Sequence, residues 1–221
     1  MAIKPLTVWL TPSGPNPWKV VLILDELGVP YEIESFAFDH VKDKPYTDIC
    51  PNGRVPAIVD PNTNLTLWES GAIIQYLEEV YDTELKLTYE SLNESHLLNQ
   101  YLHFHYGQEK GADVLSVRFN VLHPEKLPSI IERHNGQVRR VLGCTFADLA
   151  FMPWNTRLDF VLMTKPREDP LAPYPNVQAW HQRMVERPVW KRAMAVRDKL
   201  MDDQGLMPNG MPKGDQQYPR V

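Results

Sequence analysis

The chain has 221 residues, 43% of them hydrophobic, and a formal net charge of −5 at neutral pH; a chain of this length buries one large core or two modest ones, and two domains are expected. Charges of both signs are interspersed and the pI is about 5.8, so no positive field is available for a phosphate backbone and nucleic acid is excluded as the expected partner. The two cysteines, Cys50 and Cys144, stand far apart outside any CxxC pattern and the seven histidines are scattered, which argues against a disulfide framework, a local dithiol centre and a metal site.

The opening segment meets turn residues from Thr11 to Pro17 before a long apolar run can form. It therefore reads as neither a signal peptide nor a membrane span, and a soluble, cytoplasmic protein is expected. Leu6 to Leu10 reads as a short strand, followed by a turn whose prolines hold off a helix until Pro17 or Trp18. From Trp18 to Leu27, Val20, Val21, Ile23, Leu24 and Leu27 form one helical face, and Gly28 stands where a C-cap glycine belongs. Tyr31 to Phe38 alternates as a second strand. After an irregular segment, Val55 to Val59 and Leu65 to Trp68 read as a hairpin across Asp60-Pro61-Asn62. Ser70 to Tyr81 is an amphipathic helix with Ile73, Ile74 and Leu77 inward.

This order predicts a compact α/β unit over residues 1–83. Beyond a polar connector, helical periodicity dominates from residue 92 to 200, in Leu92 to Phe104, Pro128 to Leu142, Thr145 to Leu162 and Val177 to Leu200. The last stretch, residues 201–221, is rich in Gly, Pro, Asp and Gln and is expected to be a disordered tail.

Two motifs bear on chemistry. Asn52-Gly-Arg-Val-Pro-Ala57 puts the Val55-Pro56 bond at the entry of a strand, where a cis peptide would present the Val55 backbone to a ligand, although most such bonds are trans. Trp68-Glu-Ser-Gly-Ala-Ile73 sets Glu69 and Ser70 at a helix start whose open N–H groups attract a carboxylate. The same two residue types are also ordinary helix caps.

Taken together, Val-Pro, a hairpin and Glu-Ser opening a helix resemble the glutathione-binding half of the glutathione S-transferase family, and the likeness covers most of the chain. Ser13-Gly-Pro-Asn-Pro-Trp-Lys-Val20, Leu24-Asp-Glu-Leu-Gly-Val-Pro-Tyr31, Leu67-Trp-Glu-Ser-Gly-Ala-Ile-Ile74 and His123-Pro-Glu-Lys126 are similar to its fungal, nu-like subgroup, which is related to the yeast nitrogen-catabolite regulator. The resemblance implies an α/β thioredoxin-like N-terminal domain and an all-α C-terminal domain, with glutathione as co-substrate and a homodimer; the charge, the residue spacing and the N-terminal segment add the expectation of no metal, no membrane and no nucleic-acid partner.

It also implies roles. Val55, before Pro56, would pair its backbone with the cysteinyl part of glutathione in a small strand addition. Glu69 and Ser70 would take the γ-glutamyl amine and carboxylate, a pairing that opposite charge and helix N–H groups support. Lys42 and Arg54 are candidates for the glycine carboxylate, beside a purely solubilising role. For activating the thiol, the resemblance offers Asn16, whose amide donates to a thiolate near a helix N-terminus. Ser13 is the second candidate, and both residues are also common turn formers.

In the helical half, Thr145-Phe-Ala-Asp148 fits a capping box and has a structural role. Two departures from the family pattern stand out. His105-Tyr-Gly-Gln-Glu-Lys-Gly111 only loosely matches the cleft-lining stretch of relatives. Val141-Leu-Gly-Cys-Thr-Phe146 joins the helix directly to the capping box where relatives carry a longer connection. Cys50, at a position where the resemblance has asparagine, reads as a small half-buried residue rather than a nucleophile.

The expected function is transfer of the glutathione thiolate to a small electrophile, in detoxification or fungal secondary metabolism; peroxide reduction by bound glutathione is a close variant. The alternative is a non-catalytic glutathione-binding regulator, against which stands the lack of a long Asn/Gln-rich arm. A third reading, an inactive truncated relative, follows from the short connection at Gly143-Cys144.

Overall fold

Alternation in Leu6–Leu10 builds the first strand, β1, with Leu6, Val8 and Leu10 fully buried and Thr7 and Trp9 on the other face. The computed structural model describes residues 2–108, 148–162, 164–165 and 168–214. Helix α1 spans Asn16–Leu27, β2 Tyr31–Ser35, α2 Tyr46–Ile49, β3 Ala57–Asp60, β4 Leu65–Trp68 and α3 Ser70–Tyr81. The expected helix starts earlier than the prolines implied, because Pro17 lies in the first turn, where its missing N–H has no intrahelical acceptor to lose. Gly28 ends α1 in the left-handed region at φ 69°, a conformation that glycine adopts without cost.

The four strands form one sheet in the order β2-β1-β3-β4. β1 and β2 are parallel, whereas β3 is antiparallel to both β1 and β4. α1 and α3 pack on each other, α1 against β1 and α3 against β3 and β4. Pro17 to Leu24 is buried without interruption. This fits a helix covered on several sides rather than along one stripe. The edge strand β2 exposes Glu32 and Glu34, charges that discourage pairing with another chain.

At one end of the sheet, Asp60 is fully buried. It accepts the hydroxyls of Tyr76 and Tyr81 at 2.6 and 2.5 Å, and the backbone and side-chain N–H groups of Asn62 at 2.7 and 2.9 Å. Burial alone pushes its carboxyl up, but the hydrogen bonds from Tyr76, Tyr81 and Asn62 outweigh it and hold the group below its ordinary value. The hairpin turn is thereby tied to the last turns of α3.

Two units divide the chain: one runs to His96 and includes Arg187–Lys213, and the other is Leu97–Glu186. The final helix therefore groups with the α/β unit, although periodicity alone counted it with the helical stretch. Written Pro188–Asp203 and labelled below as α8, it packs against α1 and buries Trp190, Ala193 and Met201. Arg187 pairs with Glu26 at the foot of α1. Helix continues past residue 200, and Leu206 bridges Pro212. The described part of the expected tail is thus held by its own backbone bonds and by Met201, 2% exposed.

The remaining helices are α4 Leu92–Gln108, α5 Asp148–Asn155, α6 Leu158–Leu162 and α7 Pro175–Val185. In the second unit, Leu158, Val161, Leu162, Leu171 and Val177 form a core flanked by Tyr174 and Trp180. The expected helix from Thr145 to Leu162 is broken at Thr156-Arg157. The expected helix at Pro128 to Leu142, Thr145 of the capping box, His123 and the Gly143-Cys144 junction lie outside the described residues. No helix among the described residues is long and apolar enough to cross a membrane.

Candidate functional site

Strand register brings separate segments to one place. Trp9 of β1 pairs with Ala57 of β3, and Ala57 pairs with Trp68 of β4. Because β3 is antiparallel to both neighbours, its beginning lies level with the ends of β1 and β4. Leu10 pairs with Ser35, so parallel β2 ends at the same level. The turn with Ser13 and Asn16, the Val55-Pro56 entry and the Glu69-Ser70 exit therefore share one end of the sheet, opposite Asp60.

Each segment has a local reason for its shape. Asn16 is the first residue of α1, beside N–H groups that lack intrahelical acceptors. The Val55-Pro56 bond is cis, as is Lys44-Pro45, which no motif singled out. Val55 is half-buried and Pro56 buried. Glu69 takes φ 73° and ψ 111° at the N-cap of α3. A non-glycine residue there stores about 1–3 kcal/mol of backbone strain, and such strain clusters at ligand sites. Ser70, 6% exposed, follows at the helix start.

Lys42 and Arg54 are both exposed, yet Lys42 is not loose. It ends a 3-10 turn over Phe38–Lys42 and donates from Nζ to the Asn52 carbonyl at 2.7 Å. Gly53 lies beneath it with φ +56°; a Cβ there would come within 2.6 Å of Val41 O and of Lys42 Cδ. Glycine is thus required both by conformation and by the approach of the lysine stem.

Tyr46 is a residue the sequence motifs did not identify. It sits in α2, within what periodicity left as an irregular segment, and it donates its hydroxyl to the Arg54 carbonyl at 2.5 Å. Its ring lies 4.7 Å from that of Phe36 and 6.1 Å from that of Trp9. Cys50 and Ala57 complete this small core, with Cys50 only 1% exposed. The cysteine is more buried than its half-buried sequence reading and serves packing. A tyrosine shortly before the Val-Pro motif was the available signal, but nothing in a linear sequence says where its hydroxyl reaches.

Among the described residues no group of three or more His, Cys, Asp or Glu is arranged to hold a metal ion. What the site end offers is backbone at Val55, helix N-termini at Asn16 and Ser70, an acid at Glu69 and cations at Lys42 and Arg54. Such a set suits a zwitterionic, peptide-like ligand better than a single anion.

Comparison with known proteins places this geometry in context. Residues 4–79 match the family model described as glutathione S-transferase, N-terminal domain, and residues 143–188 match the C-terminal domain model. The glutathione S-transferase-like protein gedE of Aspergillus terreus is 36% identical over 219 residues, covering 88% of this chain and 96% of that protein. That alignment is longer than the part of this chain it contains, so gedE carries residues without a counterpart here. The glutathione transferase URE2P6 from Phanerochaete chrysosporium, in complex with oxidized glutathione, superimposes with a TM-score of 0.80 at 33% identity, covering 89% of this chain and 98% of that one. The nitrogen regulation fragment of the yeast prion protein URE2P superimposes with a TM-score of 0.77 at 27% identity, covering 88% and 98%.

Proposed function

The chain belongs to the glutathione S-transferase family, and on that premise we propose that it binds glutathione at the shared end of its sheet and transfers the thiolate to a small electrophile. The observation that carries this reading is the register Trp9–Ala57–Trp68, which gathers the Asn16, Val55 and Ser70 segments. Val55 next to Pro56 pairs with the cysteinyl backbone. Glu69 and Ser70 hold the γ-glutamyl amine and carboxylate, and Lys42 and Arg54 face the glycine carboxylate.

Asn16, with Ser13 as the second candidate, donates to the sulfur. A free thiol titrates near pH ~8.5, and lowering that by about two units needs roughly 2.7 kcal/mol of preferential thiolate stabilisation. One or two charge-assisted hydrogen bonds and a helix N-terminus supply energy of that order. The helical stretch offers the acceptor pocket, and the protein acts in the cytoplasm as a homodimer in detoxification or fungal secondary metabolism.

Similarity to a nitrogen regulation fragment favours a second reading, a glutathione-binding regulator without turnover. Calorimetry with glutathione, followed by conjugation of an aryl halide in the same preparation, separates the two. Binding with turnover supports the transferase; binding without turnover supports the regulator; no binding by folded protein rejects both.

A further inference from the structure

The carbonyl of Arg54 and the N–H of Val55 belong to one peptide unit, and that unit is trans, the cis bonds of the described residues being Lys44-Pro45 and Val55-Pro56. In a planar trans peptide the C=O and N–H point in opposite directions. Tyr46 holds the carbonyl at 2.5 Å, so the Val55 N–H is aimed away from Tyr46 and its aromatic core. Among the described residues no acceptor takes up that N–H.

The anchor is a firm one. Tyr46 is 2% exposed, and its ring is held by Phe36 and Trp9. Burial, and then the Cys50 thiol beside it, push its ionisation upward, so the hydroxyl remains a donor through neutral pH. The preceding loop is held separately, by Lys42 on the Asn52 carbonyl at 2.7 Å and by the Gly53 N–H on the Cys50 carbonyl at 2.8 Å. A hydrogen bond accepted by a peptide carbonyl also polarises the N–H of the same unit and makes it a better donor.

From this geometry we propose that Tyr46 is a positioning residue, which by holding the Arg54 carbonyl orients the Val55 N–H to donate to the cysteinyl carbonyl of glutathione. The role rests on the glutathione-binding reading above and adds to it a residue that touches no ligand. It also separates two tasks within one site. Tyr46 governs how well the cysteinyl backbone is held, whereas the donor at the sulfur governs how acidic the thiol becomes.

The test is calorimetry on the full chain with two ligands. One is glutathione; the other is N-(γ-glutamyl)cysteamine, which keeps the γ-glutamyl group, the amide N–H and the thiol but lacks the cysteinyl carbonyl and the glycine joined to it, so that the Val55 amide resonance is what reports on the carbonyl alone. Tyr46→Phe retains the ring and removes only the hydroxyl. The variant is expected to bind glutathione about fivefold more weakly, the worth of one net hydrogen bond, and to bind the cysteamine analogue as the wild type does. KM for glutathione rises while kcat and the thiol pKa of bound glutathione stay unchanged.

A second measurement needs no variant. In the wild type, the Val55 amide proton resonance moves downfield with millimolar glutathione and stays in place with the analogue. Equal weakening of both ligands by Tyr46→Phe, or no weakening of glutathione, overturns the proposal, as does a Val55 amide that answers both ligands alike. A folded wild type that takes up neither ligand rejects the glutathione reading itself and the positioning role with it, before any substitution is made.

Discussion

Lys42 reaches across Gly53 to the Asn52 carbonyl, 2.7 Å from its ammonium, so that a cation proposed to meet a ligand carboxylate is first a fastener of the loop before Val55-Pro56. The contact depends on a residue without a side chain at position 53. Loop shape and ligand charge are therefore coupled through one lysine.

Replacing Gly53 with alanine tests that coupling. The left-handed φ of +56° costs an L-residue ~1–2 kcal/mol, and the 2.6 Å approach to the Val41 carbonyl adds to it. Gly53→Ala is expected to lower stability in urea unfolding by about 2 kcal/mol or more. Unchanged stability would mean that the 3-10 turn moves aside at no cost.

Asp60 makes the α/β unit acid-sensitive. Its folded carboxyl titrates below the ordinary 3.8, so the unfolded chain takes up the proton first. The stabilisation is complete above the unfolded value and is lost as pH falls through the folded one. Asp60→Ala is expected to cost about 2–3 kcal/mol at neutral pH, because the half-buried hydroxyls of Tyr76 and Tyr81 and the Asn62 N–H groups lose their shared acceptor. Denaturant midpoints between pH 2 and 7 check this: the variant's curve should be flatter than the wild type's at the acid end.

Glu78 has the opposite sign. Burial first, then the charges of Asp82 and Glu79, raise its pKa from 4.5 to about 7. A proton is held in the folded state that the unfolded chain releases, so stability is fully present below about pH 4.5 and falls as pH rises through 7. Glu78→Gln is expected to raise stability by about 1–2 kcal/mol at pH 8 and to change little at pH 4. Thermal melts at the two pH values would show a difference only at the higher one, and a gain at both would reject the titration argument.

At the ligand end, Asn16→Ala and Ser70→Ala should separate chemistry from binding. The first is expected to lower kcat about 10–100-fold by raising the thiol pKa of bound glutathione, with affinity little changed. The second is expected to weaken glutathione binding about tenfold through loss of a charge-assisted hydrogen bond. Thiolate absorbance against pH in each variant distinguishes them. If Asn16→Ala leaves that titration in place and Ser13→Ala shifts it, the donor is Ser13.

Much of the first unit was legible in the chain because its signals are local. The run from Ser70 to Tyr81 carries its own period and helix start, and the helix occupies those residues. Gly28 after Leu27 marks a C-cap by composition alone, and it is one. By contrast, the segment before Val55 carries no periodic signal, since helices as short as Phe38–Lys42 and Tyr46–Ile49 span too few residues to show one. The second strand ends at Ser35 rather than Phe38, because beyond Phe36, whose N–H still bonds the Leu10 carbonyl, the chain enters the 3-10 turn over Phe38–Lys42.

What the sequence by itself determined is the type and order of the four strands and two longer helices of residues 6–81, the glycine and proline positions that bound them, and a family resemblance that the comparisons bear out. Those properties follow from neighbours along the chain, through dihedral preference, capping and periodic burial. Only the tertiary structure decided that Trp9, Ala57 and Trp68 share one level of the sheet, that the Tyr46 hydroxyl finds the Arg54 carbonyl, and that α8 returns to pack on α1. Each of these joins residues whose meeting depends on hydrogen-bond register and shared burial between distant segments, energies that exist only once the chain has closed on itself.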